Sequence, residues 1–182
     1  RKARGRAAED MTDLERQGKL AKQAAFSLAS AGTDKKNEAL EAIASILMER
    51  AEEWLSANEE DLKAAEASDM RSSMLDRLRL DKKRIEGIVE GVRQLKALPD
   101  PIGHVDSMDT RPNGLIIGKK RVPLGVIGII YEARPNVTVD AAALCLKSGN
   151  VCILRGGSEA IRSNMCAVRL MREALVSAGL PE

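Results

Sequence analysis

A four-residue turn, Arg155-Gly156-Gly157-Ser158, follows a short apolar run and could bind a phosphate group. The guanidinium of Arg155 offers a planar fork of N–H donors that suits phosphate oxygens, and two glycines let the backbone approach a ligand closely. Ser158 can cap the next helix, whose first N–H groups favour an anion. An ordinary strand–turn–helix connection with a surface arginine explains the same residues, and the spacing alone does not decide between the two.

The residue at the end of this apolar run also bears on the type of dinucleotide. In NAD sites an acidic residue near the end of the second strand accepts a hydrogen bond from the ribose 2′-hydroxyl. Here that place is taken by Arg155, which favours a 2′-phosphate and therefore NADP. The usual G-x-G-x-x-G turn is missing after the first strand, since Gly125 and Gly128 lie within the strand.

A second polar segment, Glu132-Ala-Arg-Pro-Asn136, directly follows an uncharged apolar run. Glu132 and Arg134 are expected at the mouth of a sheet, where Pro135 stiffens the turn. The two charges could orient an anionic substrate or pair with each other, and pairing is the commoner outcome. Open α/β sheets bind ligands at the carboxyl ends of their strands, so this segment and the Arg155 turn are expected to share a crevice.

Both segments are held by a predicted β-α-β-α unit. Residues 124–131 and 151–154 are apolar and rich in β-branched side chains, which predicts two strands buried on both faces. Helices are predicted over about 137–147 and 159–178. Parallel strands joined by a helix require a right-handed crossover, so the fold class is α/β.

The residues before 102 are predicted to be helical. Apolar spacing predicts helices over 12–31 and 35–57, a shorter one from Asn58 to about Ala67, and one or two turns over 74–78. Asp34 and Asn58 are expected to cap the second and third of these. Asp81 is expected to cap the clearest amphipathic helix, which ends before Pro99.

Residues 102–122 predict a β-hairpin. Strand-like pieces at 102–105 and 115–117 flank Arg111-Pro-Asn-Gly114, which is a strong turn signal. A hairpin that leaves a compact domain has unpaired edges that invite a partner chain. His104, the single histidine, is expected at the surface and not as a catalytic base.

Charge and hydropathy exclude several classes of partner. The net charge of +2 is too close to neutral to favour nucleic acid or an acidic membrane, and no apolar run approaches the ~18 residues that span a bilayer. Residues 1–10 are expected to be an extension or disordered tail before Met11, with a basic interaction arm as the alternative. After Glu182 a doubly wound sheet would continue, so we expect either a longer protein or a second chain that completes the sheet.

The three cysteines, Cys145, Cys152 and Cys166, match no zinc spacing, so no metal site is predicted. They are expected to be reduced and buried in a cytoplasmic protein. Cys145 is the most tempting nucleophile, but its place between two leucines predicts burial and a raised thiol pKa.

Several segments together resemble the γ-glutamyl phosphate reductase (glutamate-5-semialdehyde dehydrogenase) family of the aldehyde dehydrogenase superfamily. They are residues 122–140, 145–150 and 153–159, together with Met74-Leu-Asp-Arg-Leu78. The resemblance runs from about Met11 to Glu182 and covers somewhat less than half of such an enzyme. It implies N-terminal helices plus the start of a Rossmann-like parallel sheet of aldehyde dehydrogenase type, with a β-hairpin arm, in an incomplete domain.

The resemblance implies reduction of L-glutamyl 5-phosphate by NADPH to L-glutamate 5-semialdehyde with release of phosphate, in proline biosynthesis. The superfamily's Trp-Asn pair is not found, because Ala133 and Arg134 stand about where it would be, and Asn136 is a possible substitute as oxyanion donor. In the wider superfamily a lysine at the position of Arg155 holds the adenosine ribose. The implied cofactor-binding residues are Tyr131, Glu132, Arg155, Gly156, Gly157 and Ser158, and the implied substrate-binding residues are Arg134 and Asn136.

The family's nucleophile is a cysteine in a separate catalytic domain, where it forms a thioester that hydride attacks. No catalytic residue is therefore expected before Glu182, and this chain alone is expected to be inactive. The expected division is a tail at 1–10, the helical part of the cofactor domain at 11–101, an oligomerisation hairpin at 102–122, and the first β-α-β-α of the NADP-binding sheet at 123–182.

Two alternatives stay open. A shortened paralogue could pair through the hairpin with a full-length reductase and regulate it as a catalytically inactive binding module. A different acylating aldehyde dehydrogenase is disfavoured by the Glu-Ala-Arg-Pro-Asn segment. If the chain is instead part of the reductase itself, the protein is expected to be a homo-oligomer that binds a small-molecule substrate.

Overall fold

A computed structural model describes residues 12–182, so the predicted tail and Met11 lie outside the described residues. Seven α-helices and four strands follow one another along residues 12–182: α1 (Asp13–Ala29), α2 (Thr33–Glu49), α3 (Ala51–Ala67), α4 (Ser72–Leu78), α5 (Lys82–Ala97), β1 (Val105–Thr110), β2 (Ile116–Lys120), β3 (Val126–Ile130), α6 (Pro135–Lys147), β4 (Val151–Arg155) and α7 (Ile161–Ser177). A 3₁₀ turn at Ser158–Ala160 precedes α7.

The predicted β-α-β-α unit is confirmed. Strands β3 and β4 are parallel, with Val126 opposite Val151 and Ile130 opposite Arg155, and α6 connects them. The prediction that both strands are buried on both faces is wrong. Ile130 is 86% exposed, and β4 is half-buried over four of its five residues. Within residues 12–182, β4 is the only strand hydrogen-bonded to β3, so alternate residues of β3 face solvent.

The core lies among the helices. Apolar side chains of α2, α5, α6 and α7 form one buried cluster, and α1 packs against β4. With only three aromatic residues in the sequence, aliphatic side chains and alanine fill most of this volume. Of the described residues, Trp54 of α3 has the largest fully buried side chain, and its indole Nε1 donates to the carbonyl of Ser163 at 3.0 Å.

The single helix predicted over 35–57 is two helices. The chain leaves helical geometry at Arg50, where φ is −112° and ψ is 28°. The Arg50 guanidinium binds Glu53 in the next turn and Glu173 on α7. Asp34 does not cap α2, because Gly32 occupies the N-cap and Asp34 lies within the first turn.

The helix start predicted at Asn58 is also wrong, because Asn58 and Asp61 lie inside α3 with 1% exposure each. The Asn58 amide donates to the carbonyl of Leu78 at 2.8 Å and accepts from the backbone of Leu80 at 2.7 Å. Its polar groups therefore hold the α4–α5 connection and do not begin a helix. The predicted Asp81 cap is confirmed, since its carboxylate accepts from the backbone N–H of Arg84 at 2.7 Å.

The predicted hairpin is confirmed, but both strands differ from the predicted bounds: β2 runs over Ile116–Lys120 instead of 115–117. Strands β1 and β2 are antiparallel, and β1 begins at Val105 instead of occupying 102–105. Every residue of both strands is exposed. His104, which lies just before β1, is exposed as well, as predicted. The hairpin therefore contributes nothing to the core of residues 12–182.

A buried ion pair joins the end of α5 to α2. The ammonium of Lys36, whose side chain is 3% exposed, lies 2.5 Å from the carboxylate of Asp100. The same carboxylate accepts from the hydroxyl of Thr33 at 2.8 Å and the backbone N–H of Ile102 at 2.9 Å. These bonds lower the pKa of Asp100 although burial works in the opposite direction.

Two absences hold for the described part of the chain. No helix within residues 12–182 is long and apolar enough to cross a membrane. Within the same range, no group of three or more His, Cys, Asp or Glu side chains is placed to hold a metal ion.

Candidate functional site

The two polar segments meet at the carboxyl edge of the two-stranded sheet, as the sequence predicts. The backbone N–H of Tyr131 donates to the carbonyl of Arg155 at 3.0 Å, which extends the ladder to the ends of both strands. Just beyond, a Cβ atom on Gly157 would lie 3.0 Å from the backbone nitrogen of Ala133. The turns after β3 and β4 are therefore in direct contact.

The two glycines serve this contact, which differs from the sequence interpretation. A Cβ atom on Gly156 would lie 2.4 Å from the amide nitrogen of Asn164 and 3.0 Å from the ring of Tyr131. On Gly157 it would also lie 2.7 Å from the Glu159 carboxylate. The close approach that the glycines allow here is between protein segments, so they alone do not indicate a bound ligand.

A short series of side-chain hydrogen bonds holds the carboxyl edge of the sheet in place. The hydroxyl of Thr138, which is fully buried, donates to Asn164 Oδ1 at 2.8 Å. The Tyr131 hydroxyl lies 2.6 Å from the same Thr138 oxygen and must donate to it, because the Thr138 proton is already used. Burial raises the pKa of Tyr131, while the bond to Thr138 acts in the opposite direction. These bonds join the end of β3 to α6 and α7.

Arg155 and Ser158 lie at the open side of this edge, and both are exposed. Arg155 forms no ion pair or side-chain hydrogen bond with any residue between 12 and 182. Ser158 begins the 3₁₀ turn and makes no side-chain cap bond, which corrects the predicted helix cap. Because the 3₁₀ turn comes first, α7 begins at Ile161. The cap of α7 is the carboxylate of Asp61 on α3, which accepts from the backbone N–H of Ser163.

The turn after β3 carries a loose charge cluster. Glu132 lies 3.8 Å from the guanidinium of Arg134 and 3.6 Å from that of Arg77 on α4. The predicted pairing of Glu132 with Arg134 is thus present, but Glu132 is 75% exposed and both separations exceed those of a close charge-assisted bond. Arg134 stands at the N-cap of α6, and Pro135 occupies the first position of the helix.

A groove of about 610 Å³ opens beside this cluster, between α4, α5 and α6. Four of the seven polar residues that line it are arginines. Two of the lining residues, Arg134 and Asn136, were named from the sequence, and the others were not predicted. The polar lining residues are Asp76, Arg77, Arg79, Arg84, Arg134, Asn136 and Asp140. Arg77 lies in the Met74–Leu78 segment, which is one of the segments that carry the family resemblance, so that segment was a signal for Arg77. Nothing in the spacing of the segment indicates that Arg77 lies beside Arg134.

The Arg84 side chain in the groove wall has a structural task. Its guanidinium donates to the carbonyls of Asp76 at 2.5 Å and Arg79 at 2.6 Å, and to the Asp76 carboxylate at 2.8 Å. It therefore holds the carboxyl end of α4 through three of its five N–H donors. Among residues 12–182, the one acidic partner of Arg79 is the Glu66 carboxylate, at 4.0 Å.

Asp140 is the carboxylate on the α6 side of the groove. It accepts one hydrogen bond, from the amide of Asn136 at 3.2 Å, and forms no ion pair with a residue in the range 12–182. Asp140 is exposed at the surface. Partial desolvation nevertheless raises the pKa of Asp140, and the bond from Asn136 partly offsets this rise.

The cysteines lie apart from this groove. Pairing with the thiol of Cys152 lowers the pKa of Cys145 to about 7, which corrects the raised pKa expected from burial. The same pairing, with burial, raises the pKa of Cys152. Cys145 is buried and lines no part of the groove, so the structure gives it no role there.

Comparison with solved structures identifies the fold. A propionaldehyde dehydrogenase from Clostridium phytofermentans superposes with a TM-score of 0.64 at 18% identity, over 94% of this chain and 36% of the other, which shows a shared fold. The γ-glutamyl phosphate reductase of Thermotoga maritima superposes with a TM-score of 0.91 at 43% identity, over 93% of this chain and 41% of the other. The fold is the amino-terminal portion of the aldehyde dehydrogenase fold.

Curated sequence relatives at more than 50% identity are similar to nearly the whole of this chain. A curated γ-glutamyl phosphate reductase from Heliobacterium modesticaldum is 57% identical over 171 residues, which is 94% of this chain. One from Moorella thermoacetica is 56% identical over 170 residues. No family model matches the chain. The chain is similar to these γ-glutamyl phosphate reductases over more than nine-tenths of its own length, and it spans 41% of the length of the two relatives.

Proposed function

We propose that the complete protein reduces L-glutamyl 5-phosphate to L-glutamate 5-semialdehyde with NADPH and releases phosphate, in the cytoplasm. The residues 123–182 would supply the cofactor side of the site, and a nucleophilic cysteine outside this sequence would carry the acyl group. The single observation that supports this role best is the 57% identity to a reductase over 94% of the chain.

The geometry of the sheet edge supports a dinucleotide at this place. Arg155 is an exposed guanidinium without a protein partner among residues 12–182, at the carboxyl end of a parallel strand. Such a donor fork suits the 2′-phosphate that distinguishes NADPH from NADH. When bound, NADPH would supply the hydride. The backbone of Gly156 to Ser158 would lie along the phosphates.

The other residues of the edge would have separate tasks. Tyr131 would hold the strand end in place through Thr138, since its hydroxyl is already used in that bond. Glu132 would orient Arg134, and both would face the end of the nucleotide where the substrate meets it. Arg134 and Asn136 would bind the substrate, because both line the groove that opens beside this edge.

The hairpin would join two or more copies of the protein. Its strands are exposed at every residue and carry apolar side chains such as Met108 and Ile116. Free strand edges of this kind pair readily with another chain. The same exposure fits the alternative role, in which the chain binds a full-length reductase and regulates it without catalysis.

The experiment uses Arg155→Ala in the complete gene product. A charge-assisted bond to a 2′-phosphate contributes about 1.5–3 kcal/mol, so KM for NADPH should rise roughly 10- to 100-fold while KM for NADH stays nearly unchanged. Arg172→Ala, which removes an exposed arginine farther along α7, is the matched control. Equal losses for both nucleotides would contradict the 2′-phosphate contact. A gene product without turnover that alters a full-length reductase would favour the regulatory role.

A further inference from the structure

The groove between α4, α5 and α6 carries charges of both signs that do not neutralise each other. Asp140 shares its lining with four arginines, yet it forms no ion pair with any of them. Asp140 is exposed, and among the described residues its carboxylate has one hydrogen-bond partner, the Asn136 amide at 3.2 Å. A carboxylate beside a polar groove with most of its acceptor capacity unused can bind a cation from outside the chain.

The arginines of the groove also keep unused donors. Arg84 uses three of its N–H donors on α4 and the residue after it, whereas Arg77 and Arg134, among residues 12–182, share one exposed carboxylate, Glu132, at 3.6 and 3.8 Å. Close charge-assisted bonds are about 2.7–2.9 Å long, so Glu132 holds neither guanidinium tightly. Arg77 lies on α4 and Asp140 on α6, so opposite charges line the groove from different helices.

We propose that this groove recognises the head group of an α-amino acid, with Asp140 binding the α-ammonium and Arg77 the α-carboxylate. The proposal rests on the proposed function, whose substrate carries such a head group at the end opposite its reacting carbon. Arg134 is the N-cap of α6 and Asn136 lies in its first turn, so the groove that both line begins directly after the turn at the sheet edge. A substrate seated here would point its other end toward that edge. Asp140 would then determine specificity for amino acids over simple acids.

A bare phosphate is the competing occupant of the arginines. A groove built for a phosphate alone would gain nothing from Asp140, whose negative charge would repel a dianion. A zwitterionic head group uses both signs of charge, and this is why we favour it over phosphate.

The experiment compares L-glutamate with glutarate, which has the same carbon chain and both carboxylates but no ammonium. Titration calorimetry on the complete gene product without nucleotide measures both affinities. Because L-glutamate gains one ion-paired hydrogen bond through its ammonium, we expect the wild type to bind it at least roughly tenfold more tightly than glutarate. Asp140→Asn should reduce this preference to less than about twofold and leave glutarate binding unchanged or stronger, since a repelling charge is removed.

Controls separate charge from packing. Asp109→Asn removes an exposed carboxylate on the hairpin and should keep the full preference for L-glutamate. Asp140→Glu keeps the charge and should keep a measurable preference, whereas a purely structural role would make it as harmful as Asp140→Asn. Arg77→Gln should weaken both ligands together, because both carry the carboxylate that Arg77 binds.

Several outcomes would overturn the proposal. They are an undiminished preference in Asp140→Asn, no preference or no binding in the wild type, and an Arg77→Gln variant that loses inorganic phosphate but not L-glutamate. None of these outcomes affects NADPH-dependent turnover of L-glutamyl 5-phosphate by the wild type. Turnover is the separate measure of the proposed function, so the two failures are distinguishable.

Discussion

The carboxylate of Asp61, in the middle of α3, caps α7 by accepting hydrogen bonds from Ser163. One bond comes from the backbone N–H at 2.8 Å and one from the hydroxyl at 2.7 Å. A helix start normally takes its cap from the residue just before it. Here the cap comes from about a hundred residues earlier in the chain, and it fixes α7 directly beyond the turn that carries Arg155.

Replacement of Asp61 by alanine should lower the free energy of unfolding by about 2 kcal/mol, because a buried charged acceptor for the first turn of α7 is lost. Urea unfolding followed by circular dichroism measures the change. Glu60→Gln is the control, since Glu60 also contacts Arg162 but is 64% exposed and should cost little. Equal effects of the two variants would contradict the capping role.

Gly156→Ala should destabilise the sheet edge. The new methyl group would lie 2.4 Å from the Asn164 amide and 3.0 Å from the Tyr131 ring, so the Tyr131–Thr138–Asn164 chain must shift. Overpacking of this kind costs typically about 1–3 kcal/mol. Thermal unfolding measures it, and Gly128→Ala is the matched control, because a Cβ atom there meets nothing within 4 Å. A neutral Gly156→Ala would show that the turn has room to spare.

Stability should fall in acid partly through Asp100. Burial opposes ionisation of this carboxyl, but bonds from Lys36, Ile102 and Thr33 lower its pKa below the ordinary 3.8. A lowered folded-state pKa means that the stabilisation is complete above 3.8 and is lost as the pH falls through the folded value. Urea unfolding between pH 5 and pH 2, in roughly half-unit steps, measures it.

Asp100→Asn should flatten this acid dependence at the cost of stability near pH 7, where the buried Lys36 loses its counter-charge. Asp13→Asn, which removes an exposed partner of Arg16, should leave the profile unchanged. An acid limb of the same steepness in Asp100→Asn would show that other carboxylates cause it.

Removal of the hairpin should abolish self-association without unfolding the protein. The backbones of Gly103 and Arg121 are hydrogen-bonded at 3.0 Å, so a short Gly-Ser linker can replace residues 104–120. Because the hairpin is exposed throughout, the melting temperature should change little. Light scattering coupled to gel filtration measures the mass. An unchanged oligomer would place the interface elsewhere.

Features governed by local chemistry could be predicted from the sequence. The Asp81 cap, the Arg111–Gly114 turn and the β-α-β connection depend on neighbouring residues, and all three are present. The meeting of the turns after β3 and β4 was predictable for a similar reason, since parallel strands bring their carboxyl ends to one edge.

Features governed by distant contacts could not be predicted in this way. Asn58 and Asp61 look like a helix start, but their partners are Leu78, Leu80 and Ser163, which nothing in the local sequence indicates. The groove was missed because its walls come from three helices. The burial of β3 and β4 was overestimated, because an apolar run predicts burial whether or not another layer covers the strand.

Trp54 has a consequence for the order in which the chain can fold. Its indole is covered by α7, and its N–H bonds to Ser163, so α3 cannot complete its packing until the ribosome has released residues more than a hundred positions later. Contacts that close such long loops slow folding. Until α7 emerges, the apolar surface of α3 around Trp54 stays uncovered during synthesis.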